Sequence, residues 1–275
     1  MQTSEWQRSS GHSSATRSSA TQSSGSRTSS GREPVGPSRE EVRVGRAPQR
    51  ASYDAASVNA ILDSGFVAHV GTVRSGVPFV IPMFYFRRGD ELVLHGAAPA
   101  GTFRRAVSTE AGTPDGGTTD GGATDGGTTD GGAVSLCVTV THVDGLVLAR
   151  SAFHHSINYR SVVVMGEARS ITDLAERRTV LDSMVDVLVP GRSRDLRPMT
   201  DKEVRGTSVM ALPLATASAK VREGPPIDDE EDYDLPIWAG VLPLRTTYGE
   251  VVSDERLHGE VRVPEGVAGL VGGQL

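Results

Sequence analysis

The sequence predicts a mainly β protein, a small antiparallel barrel with peripheral helices. Three observations predict it. About six to eight short apolar, β-branched runs follow one another along the chain. Turn residues join the early runs at hairpin spacing, as in Arg74-Ser75-Gly76 and Arg87-Arg88-Gly89-Asp90, which favours antiparallel neighbours. Helical periodicity is confined to two or three stretches.

The first helix is expected over 54–64, where Val58, Ile61 and Leu62 share a face and Gly65 stops the turn. Strands follow over 66–73, 77–86 and 91–95, then a short helix over 102–107. Strands over 133–141 and 146–150 flank a turn, His142-Val143-Asp144-Gly145. A long strand covers 159–171, with Gly166 read as a bulge. Asp173 and Glu176 have capping-box spacing. The helix after them carries an apolar stripe of Leu174, Leu181, Met184, Val185 and Leu188, and Pro190 ends it. Residues 209–214 and 218–222 read as a last strand pair.

Composition sets the boundaries. Residues 1–40 are mostly Ser, Thr, Gly and Arg with almost no large apolar side chain. Such a segment cannot bury enough surface to offset its ordering entropy and is expected to be a disordered tail. It lacks the apolar stretch of a secretory signal. Its Arg/Ser richness resembles a transit peptide, but no amphipathic helix pattern accompanies it. The folded domain is expected over 41–255, with a C-terminal tail over 256–275.

Inside the domain, residues 111–132 repeat an Asp-Gly-Gly unit every five residues. Regular Asp with Gly suggests calcium. The spacing misses the nonapeptide calcium roll, and no apolar residue recurs to stack a solenoid. A flexible surface insertion is the expectation.

No run of about 18 apolar residues exists, so no membrane-spanning helix is expected. The net charge is −6 although the tail is basic. The folded part is therefore more acidic still, which argues against a nucleic-acid partner held on a basic face. The single cysteine, Cys137, lies in an apolar run and has no partner for an internal disulfide. It reads as a small buried hydrophobe, compatible with a reducing cytoplasm.

The most informative stretch is His154-His155-Ser156-Ile157-Asn158-Tyr159-Arg160-Ser161-Val162-Val163-Val164-Met165-Gly166. A polar and cationic cluster stands directly ahead of a β-branched run. Arg160 and Ser161 at the rim of a buried strand would hold a fork donor and a hydroxyl in place, suited to a phosphate or a planar heteroaromatic edge. A strand with solvated first residues is the alternative. Adjacent strand residues point to opposite faces, and no third ligand is spaced to join His154 and His155, so no metal site is expected.

Five motifs occur in order: Gly76-Val77-Pro78-Phe79-Val80-Ile81-Pro82-Met83-Phe84-Tyr85; Leu94-His95-Gly96-Ala97; His155-Ser156 with Asn158-Tyr159-Arg160-Ser161-Val162; Ser218-Ala219-Lys220; and Trp238-Ala239-Gly240-Val241-Leu242-Pro243. Together they resemble the pyridoxamine 5′-phosphate oxidase-like superfamily of FMN-binding split barrels. Within it the chain is most similar to the flavin-nucleotide-binding branch that includes nitroimidazole reductases, over about residues 45–255.

That resemblance implies a six-stranded antiparallel split β-barrel and a homodimer with FMN at the subunit interface. It implies that Pro82 and its neighbours line the isoalloxazine ring. The segment from His95 through Arg104 would approach the flavin, with Arg104 near the phosphate. Arg160 and Ser161 would contact FMN, and Trp238 would close the site. Gly101-Thr102 ahead of Arg104 and Arg105 offers backbone amides and fork donors for a phosphate. Where the family often has Ser-Arg or Gly-Lys after the histidine, this chain has Pro99-Ala100-Gly101, so Arg105 competes with Arg104.

His95 is the one candidate for a catalytic role, as a hydrogen-bond partner or an acid near neutral pH; a satisfied strand-end histidine is the other reading. Lys220 is either a flavin contact or a solvated strand residue, and Trp238 either a lid or core. The acidic run from Asp228 to Asp232 reads as a solvated loop. The implied activity is FMN-dependent oxidoreduction of a small molecule, such as a nitro-aromatic reduced with NADH or NADPH. The alternatives are a non-catalytic flavin-nucleotide store or sensor, and a related barrel using haem or a deazaflavin. Deleting residues 111–132 is expected to leave flavin affinity unchanged.

Overall fold

Nine strands form the frame among the residues that this computed structural model describes, 40–74, 76–97 and 133–275. They are β1 (Ala51–Ser52), β2 (Val67–Arg74), β3 (Val77–Arg88), β4 (Glu91–Ala97), β5 (Val134–Leu148), β6 (Ser156–Ser170), β7 (Thr207–Pro213), β8 (Ala217–Arg222) and β9 (Gly240–Pro243). The helices are α1 (Ala55–Leu62), α2 (Leu174–Leu188), α3 (Asp201–Arg205) and α4 (Glu265–Ala268).

All strand pairings are antiparallel. The order is β1-β8-β6-β7-β4-β3-β2-β5-β9, and β5 also pairs with β6. That extra pairing closes β2 through β7 into a six-stranded ring, the split barrel that the sequence predicts. The split lies on β6, where β8 takes Tyr159–Val164 and β7 takes only Arg169–Ser170.

The ring forms because its strands alternate. Ala68 and Val70, Leu92 and Leu94, Leu136, Val138 and Val140, and Val162 and Val164 all turn into one core. Each valine or leucine among them contributes roughly 1.5–3 kcal/mol by leaving water. Gly76, with φ +78°, makes the β2–β3 turn, a conformation that side chains resist.

Helix α1 plugs one end of the barrel. Asp54 caps it by accepting from the Ser57 amide at 2.8 Å. Val58, Ile61 and Leu62 are buried in the core. The last carbonyls of a helix have no partner within it, and here the barrel supplies partners. The Tyr85 hydroxyl donates to Leu62 O at 2.7 Å, and His142 Nε2 lies 3.1 Å from Ile61 O. Outside the ring, α2 lays Val180 and Leu181 on Phe86, Val93, Ile171, Val209 and Ala211 as a second apolar cluster.

Several sequence expectations need correction. His142-Val143-Asp144-Gly145 is no chain-reversing turn: β5 runs straight through it, and Asp144 is set aside as a bulge between the pairs Val143–Tyr159 and Gly145–Asn158. Continuous pairing with β6 on both sides overrides the local turn preference. Gly166 is not bulged; it pairs in regular register with Leu136. Strands β7 and β8 do not pair with each other but join β6 in tandem. On α2 the buried residues are Val180 and Leu181, while Leu174 and Leu188 are exposed. Asp173 caps that helix through the Glu176 amide at 2.7 Å, but the Glu176 carboxylate turns to Arg88 at 3.0 Å.

Asp228 is not solvated. Its side chain is buried and accepts from the Arg150 amide and guanidinium, both at 3.0 Å. Cys137 is half-buried on the barrel's outer face, not in its core. The tail 1–39, the helix expected over 102–107 and the repeat 111–132 lie outside the described residues. Among the described residues no helix is long and apolar enough to cross a membrane.

Candidate functional site

The residues opposite the core build a second, outer face. Residues directly paired across strands share a face. One row therefore runs Pro82, His69, Thr139, Val163 and Ser218 across β3, β2, β5, β6 and β8. A parallel row on one side holds Val80, Gly71, Cys137 and Met165. On the other side Thr141, Ser161 and Lys220 form the next row, and Val143, Tyr159 and Arg222 the one after. Rows are about 7 Å apart along a strand.

The β2–β3 part of this face is open and apolar. Val67 is 49% exposed, Val73 59% and Val80 61%, with Pro78 and Pro82 exposed beside them. At the β8 end the face becomes cationic and closed. Lys220 Nζ donates to Arg46 O at 2.8 Å.

Arg222 is only 6% exposed. Its guanidinium donates to Asn158 Oδ1, to Gly224 O at 3.2 Å and to Pro225 O at 3.3 Å. All of these acceptors are neutral. Burial first, and the charge of Arg50 second, pull its pKa below the usual arginine range. Among the described residues, Lys220 and Arg222 thus have no carboxylate in their hydrogen bonds, the condition that draws an anion such as a phosphate.

The sequence candidates divide between this face and other places. Pro82, Ser161 and Lys220 lie on it. His95 lies on the outer side of β4, half-buried, its ring edge-on to Phe84 with centroids 5.6 Å apart. Burial lowers its pKa, which keeps the imidazole neutral near pH 7.

Arg160 turns the other way, into the barrel mouth. Its guanidinium meets Asp144 at 2.9 and 3.0 Å and Ser64 Oγ at 2.9 Å. Its charge is compensated there. Trp238 stands ahead of β9, 70% exposed, against Gly240, where a Cβ would come within 3.0 Å of the indole ring. Arg104 and Arg105 lie outside the described residues.

Sequence reading passed over His69 and Arg222. Both carried a signal in strand parity. In 66–73, Ala68 and Val70 are the core positions, so His69 has to face outward. Arg222 follows Lys220 by two residues and so shares its face. No group of three or more His, Cys, Asp or Glu side chains among the described residues is arranged to hold a metal ion.

With this geometry in hand, comparisons place the chain. A family model described as pyridoxamine 5′-phosphate oxidase matches residues 54–117 and 116–221. No curated protein sequence matches. Among solved structures, the flavocytochrome Anf3 from Azotobacter vinelandii is 38% identical, covering 85% of this chain and 98% of that one with a TM-score of 0.72. The FAD and haem binding protein from Mycobacterium smegmatis is 32% identical, covering 81% of this chain and 98% of that one with a TM-score of 0.69.

Proposed function

The chain belongs to the pyridoxamine 5′-phosphate oxidase family, and on that premise we propose that it is a flavin-binding redox protein that also carries haem. The outer face carries this reading, because its apolar part and its uncompensated cations lie on one continuous surface. The relatives from A. vinelandii and M. smegmatis, described as a flavocytochrome and as an FAD and haem binding protein, support it. The M. smegmatis relative, described as binding FAD, favours FAD over FMN as the nucleotide form.

The residues present fit a flavin. A planar ring system asks for an apolar bed with a few hydrogen-bonding groups, which Val80, Pro82 and Val163 with Thr141 and Ser161 provide. Lys220 and Arg222 would hold the phosphate. When bound, the flavin supplies hydride acceptance and onward electron transfer. The work of this chain's residues is to bind the ring, exclude water from it and set its polarity by hydrogen bonds. His95, neutral through burial, is the side chain placed to accept a proton at Nδ1 or Nε2.

A second copy of the chain is the partner that covers the open apolar patch around Val67, Val73 and Val80, giving a homodimer with the cofactor between subunits. The proposed setting is the cytoplasm. The proposed substrate is a small molecule, nitro-aromatics and quinones being the first to assay with NADH or NADPH as donor.

The test is the absorption spectrum of the purified full chain, with released cofactors identified by mass. Flavin bands with FAD or FMN released, and NADH or NADPH oxidation dependent on an acceptor, support the reading. Flavin bands with no turnover on any acceptor leave a store or sensor. A colourless protein that takes up neither nucleotide sinks it.

A further inference from the structure

We infer that the C-terminal segment 244–275 of one copy is an arm that lies across the outer sheet face of a second copy and roofs the flavin bed there. The inference rests on the homodimer and flavin readings of the proposed function, and it names the part of the partner that closes the site. The segment is ordered without a core. None of residues 244–275 is buried. The chain holds its shape by closing on itself: Tyr248 N donates to Gly273 O and Gly272 N to Tyr248 O, both at 3.0 Å, and Leu275 N donates to Thr246 O at 3.1 Å. Leu244 N donates back to Asp144 O on β5 at 3.0 Å. Beyond it, the hydrogen bonds of the segment among the described residues are internal. At the far end Gly266 rests on the turn after α2, where a Cβ would come within 3.0 Å of Pro190 O.

The apolar side chains of the arm face solvent. Val252 is 94% exposed, Val261 60% and Leu257 47%. Fixing the backbone of one residue costs about 1–2 kcal/mol, and no buried side chain within the arm offsets that cost. Exposed apolar side chains gathered on one ordered segment mark an interaction surface.

Two observations make the occupant a second copy. The first is area. The open patch of Val67, Val73 and Val80 falls short of the roughly 800 Å² that each partner of a stable interface buries. Patch against patch is too small, and an arm added from each side enlarges it. The second is where the arm begins. Strand β5 gives residues 137–139 to β2 and 145–148 to β9. Leu242, Leu146 and Ile157 form one exposed row across β9, β5 and β6, and Ile157 shares its face with Tyr159. The arm therefore leaves from the edge of the sheet that carries the bed. In a two-fold dimer built on that face each copy meets the other through the same surface, and a chain leaving its edge passes onto the partner. The arm also answers a need of the site. A flavin ring on an open sheet has one wall, whereas such ligands are held with most of their surface enclosed.

The experiment places a benzophenone amino acid at position 252 of the full chain, mixes isotope-labelled with unlabelled protein, irradiates, and maps the cross-linked peptides by mass. Mixed-isotope products separate links between copies from links within one. The expected product joins position 252 to β2 or β3 of the other copy. In parallel, Val252→Glu should lower flavin affinity by at least about tenfold and weaken the dimer in light scattering, with far-UV circular dichroism unchanged because that side chain is exposed within its own copy. Links confined to one copy, links to another part of the partner, or a Val252→Glu protein that stays dimeric with wild-type flavin affinity overturn the inference and leave the proposed function standing. A wild-type chain that is monomeric overturns the inference together with the homodimer. Cross-linking reads out without the cofactor, so a colourless protein sinks the flavin reading while the position of the arm is still measured.

Discussion

Arg160 and Asp144 meet fork to fork at the barrel mouth, Nε 3.0 Å from one carboxylate oxygen and Nη2 2.9 Å from the other. Asp144 is the residue that the β5 bulge sets aside. The bulge therefore delivers a carboxylate to the strand's arginine, and the pair braces Ser64 just beyond α1.

Both members of that pair are about a third exposed, so solvent weakens it. Asp144→Ala should cost about 1 kcal/mol in urea unfolding. Flavin affinity should stay at the wild-type value, since Arg160 faces the mouth. A large loss of flavin affinity with little loss of stability would place Arg160 in the cofactor site after all.

Tyr85 is fully buried and its hydroxyl satisfies Leu62 O. Tyr85→Phe leaves that carbonyl buried without a partner, at a cost of about 1–3 kcal/mol. Burial, with the nearby Asp63 charge, raises the phenol pKa well above its ordinary value. Alkaline difference spectra should show one tyrosine that titrates only on unfolding, and it should vanish in the variant.

His142 gives the protein an acid-side sensitivity. Burial first lowers its pKa and Arg160 adds to that, while the bond to Ile61 O opposes. In the unfolded chain the imidazole takes up a proton below about the ordinary value of 6.5; in the folded chain it does so only at lower pH. The unfolded state then binds more protons, so stability falls as pH drops from 6.5 toward the folded value and levels off below it. His142→Gln should flatten that part of the Tm-against-pH curve. An unchanged slope would assign the sensitivity to His95, which burial also shifts downward.

Lys220→Ala should reduce flavin-nucleotide affinity by about tenfold, the worth of one charge-assisted bond. Fluorescence titration should also show a shallower salt dependence in the variant. Riboflavin, which lacks the phosphate, should bind both proteins alike.

Val80→Glu puts a charge in the middle of the open apolar patch. On the proposed homodimer, the wild type should run as a dimer in size-exclusion chromatography with light scattering and the variant as a monomer. The exposed position makes misfolding an unsuitable explanation, and circular dichroism checks it. A variant that remains dimeric would move the interface elsewhere.

The chain alone determined the features that neighbours in sequence decide. Asp54 ahead of Val58, Ile61 and Leu62 marks α1, and the Gly76 turn marks the β2–β3 hairpin, because caps and tight turns act over a few residues. The alternation that buries Ala68 and Val70 was equally legible, and with it the outward aim of His69.

Only the tertiary structure decided what those outward residues meet. His142-Val143-Asp144-Gly145 has the composition of a turn, yet β5 stays extended for 15 residues because β6 pairs along it. Arg160 and Arg222 look alike in sequence. One is neutralised by Asp144, and the other is buried among neutral acceptors. That difference comes from strand register and bulge geometry, which local propensity does not encode. It is why the barrel could be read from the chain while the charge that would hold a cofactor could not.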